Sequence, residues 1–232
     1  QVFNAAPQEP QSEGTFEYGF GDIGFYTFTK TRADFRYYIP GNGENELVLR
    51  LAPGIGLGYG NNDFMPFEKR FFVGGSNSVR AWAVRDLGPG AYSDNLGDAS
   101  QSLDLRVFQV GDVKIEGNIE YRFDLFYRFK GALFADFGNV WLLTEPGGTA
   151  SDQFEEQFFR EGRFESDFYE EIAIGTGFGL RMDWTFFILR LDFGWPVRTP
   201  KAPRGRRWIS YDRNLGWFAQ EARLNIGVGY PF

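Results

Sequence analysis

The chain has 232 residues, a formal net charge of −7, and neither cysteine nor histidine. Those absences exclude disulfides, thiolate nucleophiles, ordinary zinc sites and imidazole acid–base chemistry, so no cofactor or metal is expected. The acidic balance argues against nucleic acid as a partner, and the length suits one large all-β domain.

Aromatic residues make up 19% of the chain and there are 30 glycines. Mean hydropathy is −0.35, and no stretch approaches the roughly 18 to 20 apolar residues of a membrane helix. A soluble protein and a membrane β-barrel both fit. Barrel strands alternate apolar with polar residues, which hides their lipid face from an average.

Residues 1–14 read as a linker or terminus, and "GTFEYGFG" (14–21) as a weak strand. "TKTRADFRYYI" sets Ala33, Phe35, Tyr37 and Ile39 against Arg32, Asp34 and Arg36. "LVLRLAPGIGLGYG" opposes Leu47, Leu49, Leu51, Ile55, Leu57 and Tyr59 to Arg50 and glycines. A long connection over 60–104 follows. "VKIEGNIEYRFDLF" then alternates Val113, Ile115, Ile119, Tyr121 and Phe123 with Lys114, Glu116, Asn118, Glu120 and Arg122.

"KGALFADFGNVWLL", "IAIGTGFGLRMDW" and "ILRLDFGWPVR" supply three more strands. Between the first two, residues 156–171 mix phenylalanine with acids and read as a short amphipathic helix or an irregular loop. Residues 201–213, "KAPRGRRWISYDR", are locally basic and read as a lipopolysaccharide contact or a solvated loop. In "ARLNIGVGYPF", Leu224, Ile226, Val228, Tyr230 and Phe232 share one face, with Arg223, Asn225, Gly227 and Gly229 on the other. Successive strand residues point to opposite faces, so each segment has an apolar wall and a polar one.

The connections decide between a sandwich and a barrel. Residues 40–46, 124–130 and 183–187 are tight, whereas 60–104, 143–170 and 198–217 are long. Short periplasmic turns and long external loops are the membrane-barrel arrangement, and a last strand running inward puts the C-terminus in the periplasm. The polar wall must then face a lumen, and so many charges there require water or partners. Seven strands and a weaker eighth cannot enclose a wet lumen, since eight strands are filled by their own side chains. The expected fold is therefore a transmembrane antiparallel β-barrel of which this chain is a part, closed by more of its own chain or by another.

The run "FMPFEKRFFVGGSNSVRAWAVRDLGPGAY" resembles the long loop of BamA/TamA-type outer-membrane insertases, and "GNIEYRF", "FADFGNVW" and "GFGLRMDW…ILRLDFGWPVR" resemble their closing strands. The likeness covers about residues 28 to 232. Similar proteins have a 16-stranded barrel preceded by periplasmic POTRA domains, which would make this chain the C-terminal half of the barrel. They insert barrel proteins into the outer membrane or pass polypeptide across it.

The resemblance implies a loop folded into the lumen, with a motif of Gly74, Gly75, Val79, Arg80 and Trp82. It implies that Arg80 pairs with Glu120, Asp136 or both, and small Gly138 leaves room on that wall. Where the family has glycine, this chain has Ala81, which disfavours positive φ. Trp82 packs beside the arginine or sits at the membrane edge. Leu224, Ile226, Val228, Tyr230 and Phe232 match the terminal strand that assembly machinery reads, and a last strand of this kind forms one side of a lateral gate. The partners implied are outer-membrane lipid and lipopolysaccharide, a client barrel or translocated polypeptide, and accessory envelope proteins. A passive pore would use the same strands. A barrel phospholipase would need the histidine that is missing.

Overall fold

A computed structural model describes residues 19–20, 23–61, 63–92, 109–144, 153–184, 186–208 and 222–232. Two short strands, β1 (Gly19–Phe20) and β2 (Ile23–Gly24), pair with each other and, among the described residues, with no other strand. Nine more form one antiparallel sheet: β3 (Thr27–Arg32), β4 (Phe35–Pro40), β5 (Glu46–Leu51), β6 (Gly54–Tyr59), β7 (Val113–Phe126), β8 (Phe129–Trp141), β9 (Ala173–Trp184), β10 (Phe187–Arg198) and β11 (Arg223–Val228). The sheet runs β11-β10-β9-β8-β7-β5-β4, with β6 on β7 and β3 on β6, and it does not close on itself among the described residues.

Two segments that read as single strands are each split. β3 and β4 are divided at residues 33–34, and β5 and β6 at 52–53. Pro53 explains the break, because it lacks an N–H and cannot continue the ladder. Its carbonyl instead accepts from Ala33 N at 3.0 Å, while Ala52 N donates to the Glu116 carbonyl at 2.7 Å. Inward and outward phase survive the break, so the sheet makes seven long passes, as the alternation predicts.

Pairing places the tight turns, at 41–45, at 127–128 and between β9 and β10, at one end of the sheet. The long connections leave from the other end. β11 runs toward the tight-turn end, where Val228 pairs with Leu189.

The faces are inverted relative to a soluble sheet. Ile226, Leu133 and Phe178 point outward and are 66%, 54% and 49% exposed, whereas Asn118, Glu120 and Asp136 on the inner face are all 0% exposed. What covers the inner face is the segment 63–92. Its Phe71, Val73, Val79, Ala81, Trp82 and Leu87 form a core with Val140 and Ala173 of the wall. Helix α1 (Gln153–Gly162) lies in the connection between β8 and β9 and packs Phe158 on Tyr92 and Leu142. Residues 93–104 of the long loop, the stretch 14–18 and the basic residues 209–213 lie outside the described residues.

Candidate functional site

The segment over the inner wall is shaped by two glycines in the left-handed region, Gly74 at φ +99° and Gly75 at φ +91°. A side chain on Gly74 would strike the Ala83 carbonyl at 2.0 Å, so the turn admits only glycine. Ser78 Oγ accepts from Gly74 N at 3.1 Å and donates to Glu116 Oε2 at 2.7 Å. The turn is thereby tied to β7 two residues before Arg80.

Each nitrogen of Arg80 donates to a carboxylate of the wall. Its Nε donates to Asp136 Oδ2 and its Nη2 to Asp136 Oδ1, both at 2.8 Å, and its backbone N–H adds a third bond to Oδ2 at 3.0 Å. Two parallel bonds from a planar guanidinium fix direction as well as distance. Nη1 donates to Glu120 Oε2 and lies 3.7 Å from Asp192 Oδ2. The Phe134 ring stacks beneath, 3.5 Å from the guanidinium carbon. Arg80 is wholly buried. Burial alone would lower its pKa, but the carboxylates of Asp136, Glu120 and Asp192 outweigh burial and raise it, so the guanidinium stays charged.

The cluster extends along the wall. Arg181 bonds Asp192 at 2.6 Å and Glu120 at 3.2 Å. Arg190 Nε lies 2.8 Å from Asp192 Oδ2, but not in line for a hydrogen bond, so that contact is coulombic. Arg190 Nη2 instead holds the loop, donating to the Ser76 carbonyl at 2.9 Å and Asn77 Oδ1 at 2.8 Å. Three arginines (80, 181, 190) thus face three carboxylates (Glu120, Asp136, Asp192), all at most 1% exposed. A fourth arginine, Arg122, also bonds Glu120 at 2.9 Å and is balanced by Glu46 at 3.0 Å, and the formal neutrality of the extended cluster is what makes such burial tolerable. Desolvation still costs several kcal/mol per ion, roughly, so the network fixes position more than it adds stability.

Close approach of loop to wall depends on small residues in the strands. A methyl group on Gly175 would lie 2.5 Å from the Ala81 Cβ and 3.2 Å from the Trp82 ring. One on Gly194 would lie 3.0 Å from the Arg80 carbonyl oxygen. Gly138 sits under Val79, whose Cγ2 would be 3.3 Å from an added Cβ. Ala81 keeps a negative φ, and its methyl fills the space over Gly175 where glycine would leave a gap. Trp82 is in the interior, 7% exposed, and packs on the wall rather than at the membrane edge.

Two readings from the sequence need correction. Phe232 does not share the outward face of Leu224, Ile226 and Val228. β11 ends at Val228, Gly229 turns the chain at φ +82°, and Pro231 has no N–H for a ladder. Phe232 turns inward to 8% exposure, its ring 5.6 Å from the Arg80 guanidinium carbon, and its carbonyl accepts from Arg122 at 3.3 Å. Tyr230 lies 4.2 Å over Arg122 and stays partly exposed. The inner face of β7–β10 is also not bathed in water. Its charges are paired with one another and covered by the loop.

Asn118, Arg181, Arg190, Asp192, Asn225 and Phe134 complete the site and were not singled out from the sequence as partners of the loop. All lie on the inward phase of their strands, the one signal that could have found them. Asn118 Nδ2 donates to the Ser78 carbonyl and to Asp136 Oδ1, both at 2.8 Å, bridging loop to wall. At the base of the loop, Arg70 and Asp112 lie 3.1 Å apart, buried. Burial raises the Asp112 carboxyl above the usual carboxylate range against the pull of Arg70.

Residues 11–232 match the Omp85 superfamily domain, and the chain belongs to that superfamily. Among solved structures it is similar to BamA from Haemophilus ducreyi, determined in a form lacking POTRA domains 1–3. The TM-score is 0.52 at 17% sequence identity, over 77% of this chain and 32% of that one. The sheet follows the BamA barrel fold and is left open in this segment; the chain spans about a third of that structure's length.

Proposed function

We propose that the chain is the C-terminal part of an outer-membrane barrel that inserts barrel proteins into the membrane or passes polypeptide across it. Its work is conformational, with no bond made or broken. Superfamily membership supports the class of function. The observation that carries the mechanism is that Arg80 is fully buried between Asp136 and Glu120 on the interior wall. The motif of Gly74, Gly75, Val79, Arg80 and Trp82 acts as a lock that seats the loop, with Gly138 making room.

On this reading the outward apolar residues meet lipid and the long connections reach lipopolysaccharide. The tight turns and C-terminus lie in the periplasm, a client strand or translocating chain is the substrate, and accessory envelope proteins attach elsewhere. Leu224, Ile226 and Val228 form the strand part of the terminal signal, and Tyr230 and Phe232 follow it beyond the turn at Gly229. The passive-pore reading is disfavoured by the loop, which covers the inner face of the strands that would line the path of a steady ion current.

The test is insertion of a client barrel into lipid vesicles by the full-length protein. Arg80→Ala lowers the insertion rate several-fold while the protein remains in the membrane. Unchanged insertion in both Arg80→Ala and Asp136→Ala overturns the lock. A large, steady, ion-selective current through the wild type favours the pore instead.

A further inference from the structure

The side of β11 that faces the interior presents Arg223, Asn225 and Gly227, and each meets the loop or the arginine that anchors it. Asn225 Nδ2 donates to the Arg80 carbonyl at 2.9 Å. Arg223 Nη2 donates to Asp86 Oδ2 at 3.1 Å. An added Cβ on Gly227 would lie 2.8 Å from Nη2 of Arg190, the side chain that holds Ser76 and Asn77. In the sheet itself, β11 has six ladder pairs with β10.

Arg80 therefore faces two ways. Its guanidinium meets β7 and β8 through Glu120 and Asp136, while its carbonyl meets β11. A loop that unseats Arg80 withdraws from the wall and from β11 together. Asn225 ties β11 to the Arg80 carbonyl, whereas β7 and β8 meet the loop through their own side chains, Glu116, Glu120 and Asp136.

We propose that Asn225 is a positioning residue that makes the seated loop a brace for β11, so that the order of this strand follows the state of Arg80. The brace rests on the lock reading above, but it is read on one strand and not through insertion, so the two can fail separately.

Hydrogen–deuterium exchange of the full-length protein in lipid vesicles tests it. The comparison is wild type against Asn225→Asp, Asn225→Ala and Arg80→Ala. Asn225→Asp preserves shape but sets an acceptor against the Arg80 carbonyl. Peptides spanning 223–228 exchange about three- to tenfold faster in either Asn225 variant, the effect of one lost hydrogen bond. β7 and β8 keep wild-type rates. Arg80→Ala accelerates β11 at least as much. Wild-type exchange of β11 in Asn225→Asp, or equal acceleration across β7–β11, overturns the brace. Either result leaves the lock to be decided by client insertion in Arg80→Ala.

Discussion

Asp34 and Asp136 both sit on the inner side of the sheet among arginines, but one lies open and the other lies under the loop. Asp34 meets Arg36 at 2.8 Å, Arg50 at 3.0 Å and Arg32 at 3.6 Å, with the Arg32 and Arg36 side chains 55% and 44% exposed. Asp136 meets Arg80 at the same 2.8 Å with neither side chain exposed at all. Distance alone does not rank these pairs. Around Asp34 water screens the charges and can replace a lost partner. Around Asp136 the loop has removed the water, and an arginine left without its carboxylate has few substitutes.

The largest expected effect follows from that contrast. Asp136→Asn destabilises the folded barrel by about 3 kcal/mol, since it strands part of a buried charge. Urea unfolding of the refolded protein in detergent measures it. A middle effect separates shape from charge. Gly175→Val leaves every ion pair in place but collides with Ala81 and Trp82. It costs roughly 1–3 kcal/mol by overpacking, and limited proteolysis finds faster cleavage within 63–92. The smallest belongs to the open cluster. Asp34→Asn costs under about 1 kcal/mol, because Arg50 keeps Glu116 and Asn118. If Asp34→Asn proved as damaging as Asp136→Asn, burial would not be what distinguishes the two sites.

Much of this architecture was legible in the alternation of residues. Lys114, Glu116, Glu120 and Arg122 share a phase in the sequence and share the inner face in space, because a strand's period of two leaves little freedom once one side is known. The alternation of tight and long connections showed which ends of the strands lie together. The breaks at 33–34 and 52–53 were less visible, although Pro53 marks one of them. The inward turn of Phe232 was hidden because alternation runs on past the point where Gly229 ends the strand. Partners across the interior were the least legible. Nothing in the local spacing of Arg190 or Asn225 says that the turn at 74–80 will lie beside them, since those contacts join residues more than a hundred positions apart. The phase located them on the inner face, but only the fold of the loop supplied their partners.

A double-mutant cycle on Arg80→Ala and Asp136→Asn, followed by urea unfolding of the membrane-refolded protein, tests the seated loop most directly. If the guanidinium and carboxylate hold each other as described, the second substitution costs little once the first is made, leaving a coupling of about 2 kcal/mol within the range seen for contacting residues. Strictly additive losses would mean that the two side chains act independently and that the loop is held in place by something else.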